Sequence, residues 1–134
     1  MFDSMTNSVT PRPQRQIKDV LLVEQASPAR DRHLNTLRRS RYQVTIADTI
    51  EQGRKLWSPE RYGLVVISLT GFGEAAGQFC DDMKDDDAGQ VIALIFHPDQ
   101  ELPTTDCPTL IFTTEPDEYF LARVETLTAV ANVA

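Results

Sequence analysis

A short apolar run, Leu64-Val65-Val66-Ile67, leads into the glycine-containing loop Ser68-Leu69-Thr70-Gly71-Phe72-Gly73. A continuous apolar, β-branched run is typical of a strand buried on both faces of a parallel sheet. Val20-Leu21-Leu22-Val23 has the same character. Both runs therefore predict central strands of a covered sheet.

Strand and helix signals alternate outward from these runs. Further strands are predicted over residues 42–47, 91–96 and 109–113, and helices after Ser27-Pro28, after Asp48 or Thr49, over roughly 74–84, and from Glu115 onward. This alternation predicts right-handed βαβ crossovers and an α/β fold with a doubly wound, five-stranded parallel sheet. Residues 1–16 are polar and proline-containing, so we expect a flexible tail before a domain over residues 17–134.

Composition excludes several classes of function. The net charge of −7 and pI near 4.7 would repel a phosphate backbone, so we expect no direct binding of nucleic acid. Cys80 and Cys107 lack zinc-site spacing, which favours reduced thiols, although a single disulfide between them stays open. No apolar run approaches the roughly 20 residues that span a bilayer. We expect a soluble, cytoplasmic protein with no membrane contact.

Candidate functional residues follow the predicted strands. Functional groups in doubly wound sheets gather beyond the carboxyl ends of the strands. We therefore expect one rim to hold these residues: Glu24, Gln25, Ser68, Ile95, Phe96 and Thr113.

Over about residues 17–130, the pattern resembles the receiver domain of bacterial response regulators. Val23-Glu24-Gln25 resembles the end of the first receiver strand, where an acidic pair normally coordinates magnesium. Residues 62–68 resemble the third strand, whose last position is normally the phospho-accepting aspartate, and Pro116-Asp117-Glu118 resembles the opening of the last helix. The resemblance implies the flavodoxin-like receiver fold and a role in two-component signal transduction.

The sequence departs from that family at each position of its chemistry, which needs a carboxylate nucleophile, magnesium ligands, a hydroxyl and a lysine. Ser68 stands in place of the aspartate and Gln25 replaces one acidic residue. Ile95 or Phe96 stands in place of the hydroxyl residue, and residues 110–114, which precede the last helix, contain no lysine. We therefore interpret the set Glu24, Gln25, Ser68, Ile95 and Thr113 as a degenerate phosphorylation pocket without catalytic residues, metal or cofactor.

The segment His97–Pro108 contains three prolines and no helical periodicity. The helix that a receiver normally places between its fourth and fifth strands is predicted to be missing or reduced to a turn. The interaction surface is predicted to involve Arg38, Arg39, His97 and Phe112. The arginines of the first helix could also be ordinary solvated side chains.

The resulting hypothesis is a non-enzymatic, atypical receiver, a pseudo-receiver that acts by binding a protein partner, with a homodimer as one form. The alternative is a small-molecule sensor that uses the emptied pocket. Ser68 is expected to bond nearby backbone, since neither His33 nor His97 has a reason to reach it as a base. The aspartates at 81, 82 and 85–87 are expected to form a solvated face, and Trp57 to be a packing residue.

Overall fold

The computed structural model describes residues 16–96, Asp99, Glu101, residues 109–112 and residues 117–133. In chain order the elements are β1 (Gln16–Val23), α1 (Pro28–Arg39), β2 (Gln43–Ala47), α2 (Ile50–Leu56), β3 (Tyr62–Ser68), α3 (Glu74–Asp86), β4 (Ile92–Phe96), β5 (Thr109–Phe112) and α4 (Asp117–Val133). The predicted α/β alternation is confirmed. β1 begins at Gln16, within the segment that was predicted to be a tail.

The sheet has the strand order β2-β1-β3-β4-β5, and its pairings are parallel. β1 and β3 lie side by side with Val23 opposite Ile67, so these two strands end at the same edge. Because successive side chains of a strand point to opposite faces, the sheet has two apolar layers. α2 and α3 cover one face, with Phe79 and Met83 in its core, and α1 and α4 cover the other, with Leu37 and Phe120.

Polar caps fix where the first two helices begin. Ser27 Oγ accepts a hydrogen bond from the Arg30 backbone N–H at 3.0 Å, with Pro28 at the first helical position, as predicted. Thr49, rather than Asp48, caps α2 by accepting from the Gln52 N–H at 3.0 Å. These caps set the direction of each helix as it leaves the sheet.

Some predictions concern residues outside the described ranges. They include the absence of a helix over residues 97–108, where Asp99 and Glu101 alone are described, and the state of Cys107. Cys80 carries a buried thiol on α3. Among the described helices, none combines the length and the hydropathy that crossing a membrane requires.

Candidate functional site at the carboxyl edge of the sheet

A cavity of about 310 Å³ opens where β1 and β3 end. The β1–α1 loop, the first turns of α1 and the β3–α3 loop surround it. Its lining consists of Glu24, Gln25, Ala26, Ser27, Ala29, Arg32, His33, Ser68 and Thr70. The structure thus brings three predicted pocket residues, Glu24, Gln25 and Ser68, to one place.

Glu24 and His33 form a buried pair at the wall of this cavity. His33 Nδ1 lies 2.9 Å from Glu24 Oε1, and their side chains are 8% and 7% exposed. The backbone N–H of Glu24 donates to Ala47 O at 3.0 Å, which fixes the start of the loop after β1. Two titratable groups that are normally solvated are therefore buried against each other. Burying such a group is costly unless it has a hydrogen-bond partner, and each of these two supplies the partner of the other.

The His33 ring also contacts α4. Its centroid lies 4.6 Å from that of the Phe120 ring, with the planes tilted by 33°. Phe120 is buried in the layer that packs beneath α1 and α4. His33 thus contacts both Glu24 at the cavity and Phe120 on α4.

Ser68 and Gln25 define the rest of the cavity wall. Ser68 ends β3 and is 2% exposed, and the next residue, Leu69, donates its N–H to Ile95 O at 2.8 Å. Gly71 has φ of +85°, and a Cβ built there would lie 2.6 Å from the Gln25 amide nitrogen. The Gln25 amide therefore rests directly on the Gly71 backbone, a close approach that glycine permits.

Comparison with solved structures identifies this architecture. The chain superposes with a TM-score of 0.71 on the N-terminal domain of a response regulator/sensory box/GGDEF three-domain protein from Carboxydothermus hydrogenoformans, at 17% identity, covering 87% of this chain and 99% of that one. The CheY-like receiver domain protein from Methanospirillum hungatei JF-1 also gives 0.71, at 14% identity, covering 89% and 100%. The chain has the receiver fold.

A beryllofluoride-activated NtrC4 receiver domain, solved as a dimer, superposes with a TM-score of 0.68 at 17% identity, covering 85% of this chain and 98% of that one. No protein-family model matches the chain, and no curated protein matches it by sequence. The likeness to receivers is therefore one of fold, and the chemistry of the pocket has to be argued from the residues themselves.

Ile95 and Phe96 do not join this receiver-fold cavity. Ile95 is fully buried in the layer under α1 and α4, and Phe96 lies in the layer under α2 and α3. Ile95 does lie opposite Ser68 at the carboxyl edge, but neither residue is among those that line the cavity. Adjacent strand residues point to opposite faces, where helices cover them. Arg38 and Arg39 are exposed in the last turn of α1 and are not among the residues that line the cavity.

Three other predicted residues fall partly or wholly outside the described structure. Thr113 and His97 are not described. Phe112 is the last residue of β5, where its backbone lies opposite Phe96. These residues stay predictions as pocket or interface members.

His33 is the functional residue that sequence reasoning missed. Neither histidine was expected to reach Ser68 as a base, and although His33 and Ser68 line one cavity, no hydrogen bond joins them within the described residues. The available signal was helical spacing. His33 lies three and four residues before Thr36 and Leu37, and all three are buried, so they share the inward stripe of α1. A histidine on that stripe near the end of β1 has Glu24 within reach.

The lining does not fit a magnesium ion of the receiver kind. Magnesium requires six oxygen ligands in near-octahedral geometry, usually including carboxylates. Of the residues that line the cavity, Glu24 alone carries a carboxylate, and one of its oxygens is engaged by His33. Across the described residues, no group of three or more His, Cys, Asp or Glu side chains could hold a metal.

Proposed function

We propose that this chain is a pseudo-receiver in signal transduction, a phosphorylation-independent module that acts by binding a protein partner. The observation that carries the proposal is Ser68 at the end of β3, beside a lining whose one carboxylate, Glu24, is hydrogen-bonded to His33. Phosphoryl transfer to a receiver needs a free carboxylate nucleophile and a metal that offsets the phosphoryl charge. Neither requirement is met by the residues of this cavity.

A hydrolytic reading of Glu24, His33 and Ser68 is less well supported. A serine nucleophile needs a hydrogen-bonded base that is oriented by a third group. Glu24 orients His33, yet among the described residues no hydrogen bond joins His33 to Ser68. The His33 ring is instead packed against Phe120. The pair thus supports the wall of the cavity rather than the activation of Ser68.

The test is incubation with acetyl phosphate and magnesium, followed by intact-mass spectrometry. We expect no phosphoryl adduct, and no change in the NMR spectrum on adding beryllofluoride with magnesium. An active receiver domain in the same reaction shows that the reagents work. The double variant Gln25→Asp with Ser68→Asp restores two carboxylates at the cavity and serves as the matched comparison. A stoichiometric adduct on the unaltered chain would overturn the proposal.

Protein contact is the means of signalling that we propose, and a second copy of the chain is one partner to test. One structural neighbour is described as a receiver domain dimer. Arg38 and Arg39 are exposed at the end of α1, as a contact surface requires. Sedimentation velocity of the unaltered chain and of the Arg38→Glu, Arg39→Glu variant measures self-association. A mass that falls only in the variant assigns the dimer contact to α1.

Small-molecule sensing is a second candidate, favoured by the size of the cavity and by the polar side chains at its wall. A volume of about 310 Å³ lies at the lower end of the range for ligand pockets. Arg32, Ser68 and Thr70 line it together with the buried pair. Thermal unfolding with acetate or inorganic phosphate separates the two functions. A rise in Tm that is saturable and is lost in Arg32→Met would favour sensing.

A further inference from the structure

A second concavity lies at the opposite, amino edge of the sheet. This groove between α2 and α3 has a volume of about 230 Å³. Its lining consists of Arg54, Trp57, Ser58, Pro59, Phe79, Asp82, Met83 and Asp86. Trp57 directly follows α2, and Phe79 to Asp86 form the second half of α3. We call it the α2–α3 groove.

Trp57 forms a rigid aromatic wall of this groove. Its indole N–H donates to Gln90 Oε1 at 2.9 Å. Gln90 is fully buried, and its amide nitrogen donates to Tyr62 O at 3.2 Å and to Val91 O at 3.1 Å. The ring of Trp57 is partly buried against the core and is held in one orientation before any partner arrives. Such preorganisation lowers the entropic cost of binding.

The groove already holds one guanidinium group of the chain itself. Arg54 lies over the Phe79 ring, with its guanidinium carbon 5.1 Å from the ring centroid. The same guanidinium donates to Asp82 Oδ2 at 2.7 Å. An aromatic face and a carboxylate thus act together on a planar cation, which is the chemistry of arginine recognition.

The same two elements occur again further along the groove. Asp86 lies four residues after Asp82, so both carboxylates face the same side of α3. Asp86 lines the groove together with Trp57. Within the described residues Asp86 forms no ion pair. A second aromatic face and a second carboxylate are therefore available to a cation from outside.

We propose that the α2–α3 groove binds an arginine-bearing segment of a partner protein, with one guanidinium between Trp57 and Asp86. The inference rests on the proposed function, since it names the surface through which a pseudo-receiver makes its protein contact. The net charge of −7 attracts a basic segment and steers its approach. Arginine is preferred to lysine because its planar guanidinium stacks on a ring and bonds a carboxylate at the same time.

Trp57 is also the reporter for the test, because the chain contains one tryptophan. The full chain is titrated with a blocked peptide, acetyl-Ala-Arg-Ala-Arg-Ala-amide, while tryptophan emission is recorded. We expect a saturable change in emission, weaker binding of the lysine counterpart, and loss of affinity as salt is raised. Asp86→Asn should weaken binding by about fivefold, the effect of losing one charged contact to a cation at an accessible site.

Asp85→Asn is the matched control, since it removes the same charge from the same helix at an exposed residue outside the groove lining. Binding within twofold of the unaltered chain is expected for it. Equal weakening by Asp85→Asn and Asp86→Asn would show general charge attraction and overturn the proposal. So would a linear emission response with no saturation.

Two other occupants give different results. If a second copy fills the groove, Asp86→Asn lowers the sedimenting mass of the peptide-free chain. If the basic stretch around Arg12 and Arg15 fills it, their replacement by glutamine shifts Trp57 emission without peptide. Either result overturns the assignment to a partner protein. The acetyl phosphate assay does not depend on this groove, so failure of the inference and failure of the proposed function are distinguishable.

Discussion

The two edges of the sheet bury polar groups in opposite ways. At the carboxyl edge, Glu24 and His33 share one hydrogen bond at the wall of an open cavity. At the amino edge, the neutral amide of Gln90 makes three hydrogen bonds, to Trp57, Tyr62 and Val91. At the carboxyl edge, polar atoms of the pair can still accept or donate hydrogen bonds toward the cavity. At the amino edge, the Gln90 amide makes its hydrogen bonds within the protein.

This difference distinguishes a candidate binding site, at the carboxyl edge, from a hydrogen-bonded structural contact, at the amino edge. A buried carboxylate with a single side-chain partner is sensitive to whatever enters the cavity beside it. A fully bonded amide responds to little except its own removal. Trp57 is hydrogen-bonded to this amide, so the indole wall of the α2–α3 groove is held in place. The wall of the carboxyl-edge cavity instead contains the Glu24–His33 pair.

Loss of His33 should cost the most. His33→Leu keeps an apolar contact with Phe120 but leaves the buried Glu24 carboxylate without its side-chain partner. We expect the free energy of unfolding to fall by about 3 kcal/mol, since an unpaired buried charge carries its full desolvation cost. Urea denaturation measures it. Glu24→Gln in the His33→Leu background removes the charge and should recover a large part of the loss, and no recovery would contradict this account.

Loss of Gln90 should cost about 2 kcal/mol, because Gln90→Leu fills the space but removes the hydrogen-bond partner of the Trp57 N–H and one hydrogen bond each from Tyr62 O and Val91 O. Val91 O keeps the hydrogen bond that it accepts from the Val65 N–H at 3.1 Å. The release of Trp57 should also shift its emission. Gln78→Leu, an exposed amide that donates to Asp82, is the control, and we expect a change of less than about 0.5 kcal/mol. If Gln90→Leu lowered the free energy of unfolding no more than Gln78→Leu does, the Gln90 hydrogen bonds would not stabilise the amino edge of the sheet.

Glycine replacement at the carboxyl edge should have a smaller effect. Gly71 and Gly73 both have positive φ, +85° and +56°, so alanine is strained and destabilising at either position, by roughly 1–2 kcal/mol. They differ in surroundings, since a Cβ at Gly71 meets the Gln25 amide and one at Gly73 meets nothing within 4 Å. Only Gly71→Ala should move the Gln25 side-chain amide resonances in an NMR spectrum. Equal shifts in both variants would show that Gln25 does not rest on Gly71.

The fold was largely readable from the sequence because its signals are local. Apolar runs such as Val20–Val23 predict buried strands, and Ser27-Pro28 predicts the start of α1, each from a few adjacent residues. β1 was predicted too short because its first residues, from Gln16 to Asp19, are largely polar. A strand that begins before its apolar run leaves no local signal.

The residues of the candidate site were harder to predict from the sequence, because they depend on which face of the sheet or helix each side chain points to. Ile95 and Phe96 are the last two residues of a correctly predicted strand, yet their side chains point to opposite faces of the sheet and helices bury both. His33 was missed because its role arises from packing α1 against β1, which brings it to Glu24 across nine positions of sequence. A contact between elements has no signature in either element alone.

The smallest expected effect concerns Asp82 at the α2–α3 groove. Hydrogen bonds from Arg54 and then Gln78 hold the pKa of Asp82 below its ordinary value of 3.8. A lowered folded-state pKa contributes stability above the unfolded-state value, and that contribution is lost as pH falls through the lowered pKa. Arg54→Gln should therefore raise the pKa of Asp82 toward 3.8 in a ¹³C NMR titration of its carboxyl group. Lys55→Gln removes the same charge from α2 without touching Asp82. A similar rise in Lys55→Gln would assign the shift to general charge and weaken the case that the groove orders guanidinium groups by direct contact.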